Sequence, residues 1–144
     1  MIHMIQNAKD QVLALTNTAY QTAAAQGKLP GDVQVRANVE IPKDPANGDY
    51  TTTFALAAAK AMKRSPREIA AVLAESMDLA GSYFDSVEIA GAGFLNFRLG
   101  RKWYADTLSA GESEGAAYGR SDTLKGQKIM VEFVSANPTG PMHM

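Results

Sequence analysis

Two stretches of this chain hold side chains whose types and spacing could do chemistry. In one, Ile129 to Val134 form a near-continuous apolar run that suits a strand buried on both faces, followed by a turn around Pro138, Gly140 and Pro141 and then by His143. A strand that passes through a Pro/Gly-shaped turn to a histidine at a helix start is a pattern for phosphate, because backbone amides at a helix N-terminus attract anions. In the other, Leu95, Phe97 and Leu99 alternate with Phe94, Asn96 and Arg98. That period of two sets an aromatic ring, an amide and a guanidinium side by side on one face, which suits an unstacked base and its phosphate. The competing reading of Phe94 is packing against a helix, should the sheet be covered on both faces. Arg101 and Lys102 bring further charge, and Lys60, Lys63, Arg64 and Arg67 cluster at the junction of two helices. This second cluster reads equally as a solvated helix end, where cations complement the C-terminal dipole.

The elements that must position these groups follow from periodicity. Ile5, Ala8, Val12, Leu15 and Ala19 recur at steps of three and four, which predicts an amphipathic helix stopped by Gly27 and Pro30. Val33, Val35, Ala37, Val39 and Ile41 alternate with polar residues and predict a half-buried strand. Pro42, Pro45, Asn47 and Gly48 punctuate a loop, after which Asp49 or Thr51 is expected to cap an alanine-dense helix through Phe54, Ala58 and Ala61. Ser65-Pro66-Arg67-Glu68 carries the capping-box signature and opens a helix that buries Ile69, Val72 and Leu73, with Gly81 as its left-handed cap. Val87 and Ile89, the Gly91-Ala92-Gly93 turn and the Phe94–Leu99 alternation predict a β-hairpin. A short helix is expected from Arg101 to about Ala110 with Trp103 and Leu108 inward, and the glycines of Gly111 to Gln127 read as a linker. A lone buried strand after that linker cannot cover its own faces, so the chain is expected to be the front of a longer protein, ending just inside a second domain.

Composition bounds the chemistry. The 144 residues are 46% hydrophobic and 20% charged, enough for a globular core and too apolar for a disordered chain. With no cysteine and two histidines, disulfides, thiolate zinc sites and cysteine nucleophiles are closed off, and a histidine-built metal centre is not expected. The longest apolar runs, Phe54 to Ala59 and Ile69 to Ala74, fall far short of the roughly 20 residues of a membrane span. No basic-then-apolar leader pattern opens the chain, so a cytoplasmic location and no membrane partner are expected. Lys+Arg 14 against Asp+Glu 15 gives a net charge of −1, so any nucleic-acid partner must be held by a local basic patch.

The string V-E-F-V-S-A-N-P-T-G-P-M-H from Val131 to His143 resembles the first signature of class I aminoacyl-tRNA synthetases, and its E-F-x-S-A-N-P-T-G-P part resembles the arginyl-tRNA synthetase family in particular. Upstream, V-E-I-P-K-D-P-A-N-G-D-Y from Val39, P-R-E-I-A from Pro66, G-A-G-F-L-N-F from Gly91 and Y-G-R-S from Tyr118 are similar to that family's N-terminal domain. The resemblance implies that Glu132, Ser135 and Asn137 hold arginine, and that His143 helps hold ATP phosphates. It implies tRNA contacts at Phe94 and Asn96, on the D-loop at the outer corner of the tRNA, with Arg98, Arg101 and Lys102 supplying charge.

The expected architecture is α/β of the α+β kind: a small sheet with a hairpin packed by helices over 1–115, a linker over 116–126, and from 127 to 144 the first strand of a Rossmann-like catalytic domain. The function so implied is ATP-dependent activation of arginine and its transfer to tRNA(Arg), with Mg²⁺ accompanying ATP and no metal site in this chain. A monomer is expected. Because the remainder of the signature and the family's lysine-bearing loop lie beyond Met144, this chain is expected to be inactive by itself. The rival reading is a free-standing RNA-binding adaptor that never catalyses.

Overall fold

The computed structural model describes residues 2–134 and 140. Helix α1 runs from Ile2 to Ala25 and buries Ala8, Val12, Ala19 and Ala23 completely, the stripe that steps of four and seven predict. It ends where expected: Gly27 takes φ +69°, its N–H donates to the Ala24 carbonyl at 2.9 Å, and the Lys28 N–H donates to that of Ala23 at 2.8 Å. These two bonds form a Schellman cap. Strand β1, Val39–Glu40, is followed by a single 3₁₀ turn over Pro45–Asn47 and by strand β2, Tyr50–Thr52. Helices α2, Phe54–Met62, and α3, Pro66–Glu75, come next, then strands β3, Phe84–Ala90, and β4, Phe94–Leu99. Helix α4, Arg101–Glu114, closes the regular structure, trailed by a 3₁₀ turn over Gly115–Ala117.

The four strands lie in the order β1-β2-β4-β3, each pair antiparallel. Helices α1, α2 and α3 pack on one face, so the fold is α+β. Phe84, Leu95 and Phe97 of the sheet meet Val12, Phe54, Ala58, Ile69 and Leu73 of the helices in a single core. At its centre the Phe84 ring sits edge-on to Phe97 with centroids 5.3 Å apart, and Tyr50 to Phe84 at 5.9 Å. Burial, with the neighbouring Asp49 charge, raises the Tyr50 pKa. The opposite face of the sheet carries Glu40, Thr51, Asn96 and Glu88 in one cross-strand row, Phe94 beside Ala90, and Arg98 beside Ser86.

Several expectations give way to tertiary context. Val33, Val35, Ala37 and Val39 do alternate in burial with their polar neighbours, but the ladder holds only Val39 and Glu40. The partner strand β2 stops at Thr52 because the chain turns into α2, so residues 33–38 lie extended without a ladder. The Tyr20 hydroxyl ties the start of this segment down, accepting from the Val33 N–H at 3.2 Å and donating to the Pro30 carbonyl at 2.6 Å. Thr53, not Asp49 or Thr51, precedes α2. Thr51 is taken up by β2, and the Asp49 carboxylate accepts instead from the Leu99 N–H at 2.8 Å.

The capping box of α3 forms as expected, with the Ser65 hydroxyl and the Glu68 carboxylate each accepting from the other's N–H. Yet α3 stops at Glu75, six residues before Gly81, with Ser76 as its cap. In α4, Trp103 packs on the core and its indole N–H donates to the Met4 carbonyl at 3.3 Å, but Leu108 is 71% exposed. That helix also runs four residues past Ala110, to Glu114. Ile129 to Val134 form no strand, and Met130 and Phe133 are each 93% exposed. Among the described residues the run has no neighbouring strand to supply a ladder and no helix to cover it, so its β propensity alone fixes nothing.

Candidate nucleic-acid interface

The hairpin between β3 and β4 is the frame of the site. Ala90 pairs with Phe94 across the Gly91-Ala92-Gly93 turn. Gly91 and Gly93 adopt φ +53° and +136°, and a Cβ on Gly93 would stand 2.7 Å from the Pro66 carbonyl carbon. Glycine is therefore required there both by conformation and by contact. The turn is seated on the start of α3 and held by Arg67, whose Nη1 donates to the Gly91 carbonyl at 3.0 Å.

Opposite the turn, the loop between β1 and β2 folds over the sheet face. Asp44 caps its 3₁₀ turn by accepting from the Ala46 N–H at 2.9 Å. Gly48, at φ +89°, lies so close to β4 that a Cβ would meet the Phe97 carbonyl oxygen at 2.8 Å. Arg98 staples the loop from the sheet side by donating to the Ala46 carbonyl at 2.7 Å.

Between loop and turn lies an open cavity of about 300 Å³, lined by Pro42, Lys43 and Asn47 of the loop, Thr51 of β2, Ala90, Gly91, and Phe94 and Asn96 of β4. Phe94 is 37% exposed and is not roofed by a helix, whereas Asn96 is 93% buried within the sheet row, which leaves 7% of it accessible. Thr51, directly across from Asn96, has a buried hydroxyl with no hydrogen-bond partner. A flat aromatic surface beside a partly accessible amide can stack a planar ring and bond its edge. The volume sits at the lower end of the roughly 300–1,000 Å³ of small-ligand sites.

Of the groups expected to act together, the structure joins Phe94, Asn96 and Arg98 on one face. Arg101 and Lys102 stand past the other end of β4, about 16 Å or more from Phe94 at the rise of an extended strand. Lys102 donates to Asp106 at 2.7 Å and lies 4.9 Å over the Tyr83 ring. The Asp106 hydrogen bond, chief among the causes, raises its pKa. Arg64 turns the other way, donating to the Lys28 carbonyl at 2.7 Å. Glu132 is exposed and belongs to no regular element, while Ser135, Asn137 and His143 lie outside the described residues. Among the described residues no three His, Asp or Glu side chains converge as metal ligands. Lys43, Asn47 and Thr51 were not legible as site residues, since their place depends on loop packing and on the β2–β4 register.

A family model described as the arginyl tRNA synthetase N terminal domain matches residues 8–99, from the first turns of α1 to the last residue of β4. The chain belongs to the arginyl-tRNA synthetase family, as its N-terminal domain. The span encloses the whole cavity of this arginyl-tRNA synthetase domain and stops before Arg101. Among curated relatives, the arginine–tRNA ligase of Acetivibrio thermocellus is 41% identical over 144 residues, covering 100% of this chain and 26% of its own length. The arginine–tRNA ligase of Caldanaerobacter subterraneus subsp. tengcongensis is 40% identical over the same 144 residues, again 26% of its length. The chain thus spans about a quarter of the length of these relatives. The crystal structure of arginyl-tRNA synthetase from Plasmodium falciparum shares its fold, at a TM-score of 0.55 and 12% identity, over 69% of this chain and 17% of that one.

Proposed function

We propose that this chain is the tRNA-binding N-terminal part of an arginine–tRNA ligase and that it holds the D-loop corner of tRNA(Arg) without catalysing by itself. The observation that carries the reading is the cavity at Phe94 and Asn96, open on the sheet face that no helix covers among the described residues, inside the span the family model matches. A base lifted out of its stack would lie on the Phe94 ring, with its edge toward the Asn96 amide.

In the whole protein, Glu132, Ser135 and Asn137 would hold the arginine substrate and His143 the phosphates of ATP, whose Mg²⁺ would travel with the nucleotide. Activation is attack of the arginine carboxylate on the α-phosphate with loss of pyrophosphate, a step served by positioning and charge stabilisation rather than by a protein nucleophile. We place the boundary between the tRNA-binding unit and the catalytic part between residues 115 and 127, and assign the protein to the cytoplasm as a monomer.

Titration of an arginine-accepting tRNA into the chain and into Phe94→Ala tests the reading. The variant should bind about 1–3 kcal/mol more weakly, the range for one base stacked on an aromatic side chain, with an unchanged circular dichroism spectrum. Equal affinity of the two proteins would contradict it.

A further inference from the structure

We infer that Lys43 and Arg67 form a phosphate clamp across the Phe94–Asn96 cavity, one cation on each lip, gripping the backbone on either side of the nucleotide whose base the cavity takes. This inference rests on the tRNA-binding reading and names the residues that supply its charge. The cavity is bounded along the strand direction by the β1–β2 loop, where Lys43 is exposed on the lining, and by the hairpin turn, where Arg67 stands against Gly91. Arg67 spends one N–H on the Gly91 carbonyl and keeps the remaining donors of its fork for a second acceptor. Among the described residues neither cation has a carboxylate within salt-bridge distance.

The surroundings exclude other routes for a polyanion. Glu40 and Glu88 flank Thr51 and Asn96 in the same cross-strand row, so phosphates crossing the sheet sideways would meet a carboxylate at each edge. Passage along the strands, over loop and turn, meets Lys43 and Arg67 instead. Of the other cations, Lys102 pairs with Asp106 and Arg64 turns toward the Lys28 carbonyl, while Arg98, bonded to the Ala46 carbonyl, holds the β1–β2 loop from which Lys43 projects. A chain with a net charge of −1 needs such local placement to hold RNA at all.

The test is the salt dependence of binding between an arginine-accepting tRNA transcript and the 144-residue chain, compared with Lys43→Met, Arg67→Gln, Arg67→Lys and Phe94→Ala. A lost phosphate contact lowers the slope of log K against log salt by about 0.7–0.9. Lys43→Met and Arg67→Gln should each show that loss, Arg67→Lys should retain the slope, and Phe94→Ala should weaken binding at unchanged slope. An unchanged slope in either cation variant, with Phe94→Ala still weak, overturns the clamp and leaves the base cavity standing. A slope lost equally in Arg67→Lys and Arg67→Gln also overturns it, since that would report displacement of the turn rather than loss of charge. Full affinity in Phe94→Ala would remove the tRNA-binding reading and the clamp together.

Discussion

At the scale of single residues, Glu68 shows how a side chain can serve structure beside the candidate site. Its carboxylate accepts from the Ser65 N–H at 3.1 Å, and the Ser65 hydroxyl accepts from its own N–H at 3.3 Å. The hydrogen bonds from Ser65, first among the causes, hold its pKa below the usual carboxylate value. Because the folded pKa is depressed, the stabilisation is present at neutral pH and is lost as pH falls through the folded value. Glu68→Gln keeps an acceptor for Ser65 without the titration. Urea unfolding of the chain should therefore weaken more steeply than that of Glu68→Gln between neutral pH and about pH 3; parallel pH profiles would show that the carboxylate contributes nothing to the cap. The same pairing was legible from sequence because capping is local, whereas Thr51 was not: its hydroxyl matters only because β2 sets it across from Asn96.

At the scale of elements, the hairpin turn and the start of α3 form one rigid unit. Gly93→Ala would place a methyl against Pro66 at a backbone conformation that favours glycine. It should cost about 2 kcal/mol or more in urea unfolding and weaken tRNA binding through the tilted hairpin. A variant as stable as the parent would show the turn to be loosely seated. The hairpin itself was readable, since Leu95, Phe97 and Leu99 alternate with Asn96 and Arg98 and two glycines flank the turn. The segment 33–38 shows where such reading stops. Its alternation reports burial against the helices correctly, but hydrogen-bonded pairing needs a partner, and β2 is three residues long. The end of α3 was misplaced for a related reason: the chain leaves the helix at Ser76 well ahead of Gly81, the position that favours the left-handed region.

At the scale of the whole molecule, among the described residues helices cover one side of the sheet and leave the other open, framed by a loop and a turn. The region past α4 carries the segments that resemble a catalytic signature, yet Glu132 is exposed there without a strand to hold it. A site that must position arginine against ATP needs a packed scaffold around these residues. The 144-residue chain should accordingly give no ATP–pyrophosphate exchange with arginine and tRNA present. Exchange well above a protein-free blank would contradict this and assign catalysis to the chain itself.

The most direct measurement of the central claim is amide chemical-shift mapping of the ¹⁵N-labelled chain during titration with an arginine-accepting tRNA. The account predicts that the largest changes gather at Lys43, Asn47, Thr51, Gly91, Phe94 and Asn96, with the helical face of the sheet unaffected. Changes centred instead on α1, or none at these residues at saturation, would contradict it.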